Sequence, residues 1–119
     1  RHYAPKADLS IVEGTEAQVI DCINRLSAEA EKKGLKVGVI ATNETKDCYA
    51  HADVFSIGSR EEEETIAHHL YEVLRSFDDD RVDLIYSEAF YTPRMGQAIM
   101  NRLLKAAGHK IINAQEEKK

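Results

Sequence analysis

The 119-residue chain lacks any apolar run approaching the ~18 residues that cross a bilayer, and its first residues are too polar for the apolar core of a signal peptide. It also lacks an excess of positive charge. Sixteen Lys and Arg face 21 Asp and Glu, a net charge of −5, so the global attraction behind non-specific nucleic-acid binding is missing. Cysteine is scarce: Cys22 and Cys48 have no C-x-x-C pair or Cys/His ladder around them, so no metal site is expected and both read as free thiols, buried or half-buried. Absent too are the three spaced glycines of a dinucleotide fingerprint and any G-K-[ST] phosphate loop. What is present is ordinary for a globular chain, 43% apolar and 31% charged residues, and the length suits one domain, expected in the cytoplasm with no membrane partner.

Strand and helix patterns alternate along the chain. Residues 8–12 read as a strand, and Glu13-Gly14-Thr15 then turns into a helix through a capping box of Thr15 with Gln18. Val19, Ile20, Ile23 and Leu26 recur at helical spacing until Lys32-Lys33-Gly34 supplies cations and a glycine stop. Residues 35–41 are a near-continuous apolar run, as expected for a strand covered on both faces. A short helix is expected from about Thr45 and a third strand over 54–57. Gly58-Ser59 repeats the earlier turn, with Ser59 and Glu62 as a second capping box and Glu61 to Glu64 at the positive end of the next helix. Ile66, Leu70, Val73, Leu74 and Phe77 make its buried stripe, and Asp78-Asp79-Asp80 is read as its end. A fourth strand at 82–86, a helix over 95–107 stopped by Gly108, and a short strand at 109–112 complete the pattern. The reading is an α/β fold, a Rossmann-like three-layer sandwich on a mostly parallel sheet of four to five strands, with the domain at 8–113 and a solvated tail at 114–119.

Ligands of such sheets bind beyond the carboxyl ends of the strands, which directs attention to the loops at Gly14, Thr42, Gly58 and Glu88. Each has a plain alternative: the glycines suit tight turns, and Thr42-Asn43-Glu44-Thr45 suits helix capping. His68 and His69 are adjacent, about 100° apart around a helix, and lack metal-ligand spacing. Asp78-Asp79-Asp80 point in different directions and read as an exposed turn. The loop 88–94 leads into a helix carrying Asn101, Arg102 and Lys105, a carboxylate, aromatics and bases at one sheet edge, against a packed and capped loop as the plain reading. Arg1-His2-Tyr3-Ala4-Pro5-Lys6 gathers two cations, an imidazole and a phenol, suited to phosphate or carboxylate contact with Tyr3 as a lid; composition alone favours a frayed end.

That first segment, together with Val37-Gly38-Val39-Ile40-Ala41, Gly58-Ser59-Arg60, Ser87-Glu88-Ala89-Phe90 and the run Gly96-Gln97-Ala98-Ile99-Met100-Asn101-Arg102-Leu103-Leu104-Lys105-Ala106-Ala107-Gly108, resembles the long, two-domain form of L-threonylcarbamoyladenylate synthase. Thr92-Pro93-Arg94-Met95 departs from the family's more usual glycine-leucine approach to Gly96. The resemblance implies a C-terminal accessory domain, joined by a linker that ends at residues 1–7 to an N-terminal catalytic domain. The family condenses L-threonine, bicarbonate and ATP into threonylcarbamoyl-AMP for tRNA modification. By the same resemblance ATP and magnesium belong to the catalytic domain, this chain holds no cofactor and no catalytic residue and is inactive alone, and tRNA is met only indirectly. Arg1, His2, Tyr3 and Pro5 would form a lid over the catalytic cleft. Gly14, Thr42, Gly58, Glu88, Asn101 and Arg102 would form a ligand or interdomain surface, and a second protomer is a further partner to expect. The alternative is a regulatory module for a small ligand, nucleotide or other anion.

Overall fold

The structure, a computed structural model, describes residues 5–116. Its elements run β1 (Asp8–Glu13), α1 (Glu16–Lys32), β2 (Val37–Ala41), β3 (Asp53–Ser56), α2 (Glu63–Asp80), β4 (Leu84–Glu88), α3 (Gly96–Ala106) and β5 (Ile111–Asn113). The five strands form one sheet in the order β3-β2-β4-β1-β5, every pairing parallel. Strand order, unreadable from the pattern, sets β1 between β4 and β5.

Alternation along the strands divides the core. Leu9 and Ile11 of β1, Ile40 of β2 and Ile85 of β4 pack with Ile66, Leu70, Leu74 and Phe77 of α2 and Ile99 and Leu103 of α3. On the opposite face Val12, Val37, Val39 and Ala41 pack with Val19, Cys22 and Ile23 of α1. Right-handed crossovers produce this division: α1 carries the chain one way across the sheet, α2 and α3 carry it back, and so they lie on opposite faces. Gly38 lets Phe77 lie against the sheet, since a Cβ there would sit 2.4 Å from Phe77 Cε1. Ala114 is buried and its N–H donates to Glu13 O at 2.8 Å, so packing continues past residue 113.

Several boundaries differ from expectation. The Thr15 capping box forms, with Gln18 N donating to Thr15 Oγ1 and Thr15 N to Gln18 Oε1. The second one does not: α2 starts at Glu63 with no side-chain cap on Glu62, and Ser59 Oγ donates to Glu44 instead, at 2.5 Å. Gly58, at φ +143°, redirects the chain so that Ser59 N donates to Thr65 Oγ1, which in turn donates to Glu62 O. After Thr45 there is only a single 3₁₀ turn, Lys46–Cys48, because the Thr45 hydroxyl is drawn to a buried carboxylate rather than capping a helix. Asp78-Asp79-Asp80 is no break. The helix continues through Asp80, whose carboxylate pairs with Lys36 Nζ at 3.1 Å, and ends at Arg81 in the left-handed conformation. Asp78, meanwhile, accepts from Lys6 N at 3.0 Å, anchoring the approach to β1. The fourth strand begins at Leu84, and Val82 is a buried core residue ahead of it.

Candidate functional site

In a parallel sheet all carboxyl ends share one edge, so Gly14, Thr42, Gly58 and Glu88 are gathered there by topology. The edge is organised by Glu88, the last residue of β4 and 3% exposed. A carboxylate so buried is costly unless fully paired. Three donors meet it: Thr45 Oγ1 and Tyr49 OH each lie 2.6 Å from Oε2, and Arg60 Nη2 lies 2.8 Å from Oε1. Thr42 completes the cluster, its Oγ1 3.0 Å from Thr45 Oγ1 and its N–H donating to that same oxygen. Burial, and next the Glu88 charge, push the Tyr49 phenol far above its ordinary range, so it serves as a fixed donor.

Each partner is positioned from elsewhere. Asn24 of α1 brackets Tyr49, donating to Cys48 O at 2.9 Å and accepting from Ala50 N at 2.8 Å. Glu44 holds the loop that carries Arg60, accepting from Ser59 Oγ and Arg60 N, and the Ser59 hydroxyl keeps its carboxyl below the usual range. The Arg60 guanidinium also lies over the buried Phe90 ring, 5.0 Å from its centroid.

Beside this cluster a cavity of about 310 Å³ opens at the ends of β1 and β4, which exit to opposite faces of the sheet. Val12, Val19 and Ala89 give it an apolar floor, and Glu13, Glu16, Arg60, Glu88 and Tyr91 supply its polar and aromatic walls. Tyr91 OH donates to Glu13, which pushes the phenol up to about 12.

Glu63 was expected only as a negative charge at the start of α2, but it spans to the next helix. Its carboxylate is buried and accepts from Met95 N at 2.5 Å and Arg94 N at 3.2 Å, capping the approach to α3 through Thr92-Pro93-Arg94-Met95. The Met95 amide, foremost, holds its carboxyl below the usual range.

The expected site residues are thus divided. Gly14 and Glu88 line the cavity, Thr42 supports Glu88, and Gly58 orients the loop of Arg60. Asn101 and Arg102 are exposed, more than one turn along α3, and are not in the cavity wall. Arg1, His2 and Tyr3 lie outside the described residues. Pro5 is half-buried just ahead of β1, at the amino edge, about 20 Å of strand from Glu13. Arg60, Tyr49 and Asn24 were not singled out; the Gly58-Ser59-Arg60 motif was a signal for the first, and nothing local marks the other two. Neither cysteine is in a disulfide among the described residues, and Cys22 is buried while Cys48 is exposed. Among the described residues no helix is long and apolar enough to cross a membrane.

Comparison with known proteins gives a consistent answer. Residues 1–108 match the family model described as threonylcarbamoyl-AMP synthase, C-terminal domain. The threonylcarbamoyl-AMP synthase of Bacillus subtilis is 45% identical over 93% of the chain, which spans 31% of that protein. Pyrococcus abyssi Sua5 complexed with L-threonine is 40% identical with a TM-score of 0.82, covering 95% of this chain and 32% of that one. A P. abyssi variant with an adjacent histidine and tyrosine both replaced by alanine superposes with a TM-score of 0.81 at 38% identity, covering 92% of this chain and 30% of that one. The C-terminal Sua5 domain of Pyrococcus horikoshii, solved by itself, is 34% identical with a TM-score of 0.72, covering 92% of this chain and 99% of that one. The chain accordingly spans about a third of the longer relatives it matches. On its sequence and its five-stranded α/β architecture together, this chain belongs to the threonylcarbamoyl-AMP synthase C-terminal domain family.

Proposed function

We propose that this domain is the accessory part of an L-threonylcarbamoyladenylate synthase, and that the segment ahead of β1 serves the reaction as a lid. The observation that carries the reading is the family match over nearly the whole chain with Arg1-His2-Tyr3-Ala4-Pro5 immediately before an anchored interior strand. Lys6 N donates to Asp78 Oδ1 and Asp8 N to Asp83 O, so the segment departs from a firm base. His2-Tyr3 is the only His-Tyr dipeptide in the chain, and such a pair was replaced in the P. abyssi variant. Threonine and bicarbonate give a carbamate that water destroys. A phenol and an imidazole closing over the cleft exclude that water while ATP is attacked and pyrophosphate leaves. In this reading ATP and magnesium bind the catalytic domain, this domain alone is inactive, tRNA is met indirectly, and the enzyme works in the cytoplasm, with pairing of two protomers as a further means of stabilising it.

The test compares pyrophosphate and adenylate production from ATP, threonine and bicarbonate by the catalytic domain alone, by that domain joined to this chain, and by the joined protein carrying His2→Ala and Tyr3→Ala. Synthesis that rises on joining and falls in the variant supports the lid, and equal rates in all three remove it. A second reading, a regulatory small-ligand module, is favoured by the cavity at the strand ends.

A further inference from the structure

We propose that the cavity at the carboxyl ends of β1 and β4 binds a small organic cation, an alkylammonium or guanidinium compound; the proposal rests on the small-ligand reading and names its ligand class. The position is the one where parallel α/β sheets open a crevice, because β1 leaves toward α1 on one face and β4 toward α3 on the other. At about 310 Å³ the space suits a ligand of few heavy atoms, at the lower end of the usual range of roughly 300–1,000 Å³.

Charge selects the class. Arg60 is committed to Glu88, so that pair is internally balanced. Glu13 and Glu16 remain, two carboxylates on the wall with no cation of the wall opposing them. The start of α1 contributes about half a positive charge here, but Thr15 and Gln18 already bond one another's amides in the capping box, which leaves this helix end less to offer an anion. The balance is negative, and the anion first expected at these strand ends is disfavoured against a cation. Tyr91 adds the second element of such recognition: it is 64% exposed, its hydroxyl is held by Glu13, and its ring is thereby fixed at the mouth of the cavity. The apolar floor of Val12, Val19 and Ala89 accommodates a short methylene chain.

The P. horikoshii domain was solved by itself, so the 119-residue chain is suitable for direct titration, followed by NMR of its backbone amides and repeated with the joined synthase. The probes are n-butylammonium, n-butylguanidinium, butyrate and AMP at fixed ionic strength. The expected result is saturable shifts at Gly14, Glu16, Ala89 and Tyr91 with the two cations and none with butyrate. The paired substitution Glu13→Gln and Glu16→Gln, which keeps an acceptor for Tyr91, is expected to weaken cation binding on the order of tenfold or more, and Glu61→Gln, exposed and outside the cavity, to leave it unchanged. Cation binding that is indifferent to the paired substitution overturns the proposal. Binding of AMP or butyrate without the cations overturns the cation while leaving a ligand module, and absence of saturable shifts with all four probes overturns both.

Discussion

Arg60 and Glu88 meet across the carboxyl edge of the sheet, Nη2 2.8 Å from Oε1, joining the loop ahead of α2 to the end of β4. Glu88 is almost wholly buried while the Arg60 side chain keeps 35% of its surface exposed, so the two partners are not equivalent. Removing the arginine leaves a buried carboxylate with two hydroxyl donors; removing the carboxylate's charge leaves those hydroxyls and the guanidinium with a weaker acceptor. Arg60→Met and Glu88→Gln are each expected to lower stability by about 1–3 kcal/mol. The double variant should lose less than the sum, by about 1 kcal/mol, in a urea-unfolding cycle. Additive losses would mean that the pair is not coupled.

A steric prediction concerns Gly38. Alanine there places its Cβ 2.4 Å from Phe77 Cε1 and 2.6 Å from Cδ1, in the middle of the core and against a ring that also packs edge-on to Phe55. Gly38→Ala is expected to cost about 1–3 kcal/mol. In a Phe77→Leu background the same substitution should cost much less, because the ring that opposes the methyl has gone. Urea midpoints of the four proteins measure the difference.

Glu63 predicts a pH dependence. Its carboxyl is held below the ordinary 4.5 in the folded chain by the amides before α3, foremost that of Met95, so the unfolded chain binds the proton more readily. The associated stability is fully present above the unfolded value and disappears as pH falls through the folded value. Glu63→Gln should therefore be less stable at neutral pH but show a shallower loss below pH 4.5 than the parent. Urea unfolding at a series of pH values from neutral downward gives both slopes, and parallel curves would exclude Glu63 as a source of the acid limb.

The two thiols should separate cleanly by accessibility. Cys48 is exposed at the end of the 3₁₀ turn and Cys22 lies on the buried face of α1, in the core. A thiol reagent is expected to modify one thiol per chain at native conditions and two in denaturant, with Cys48→Ser abolishing the native reaction. Rapid native modification of both would contradict the packing of α1.

Features decided within a few residues were legible in the sequence, and those decided across the fold were not. The Thr15–Gln18 box and the Ile66-to-Phe77 stripe depend only on neighbours in the chain, and they formed as read. Ser59 has the same local signature as Thr15, yet its amide goes to Thr65 and its hydroxyl to Glu44, and the Glu44 contact exists only once β2 and β3 are paired. Glu88 was found because strand ends are where ligands bind, but its partners Thr45, Tyr49 and Arg60 are 28 to 43 residues away, and no spacing announces them. Asn101 and Arg102 shared a motif with the buried face of α3 and proved to lie on its outer side.

The placement of β1 between β4 and β5 has a mechanical meaning. A pull applied through Pro5 runs along the axis of an interior strand bonded on both sides, and so it loads two ladders in shear at once instead of peeling a single edge strand. Lys6 and Asp8, tied to Asp78 and Asp83, pass part of that load into the end of α2 and the start of β4. Pro5 is therefore carried on a stiff mount, and a load entering there is shared between two ladders before either one yields.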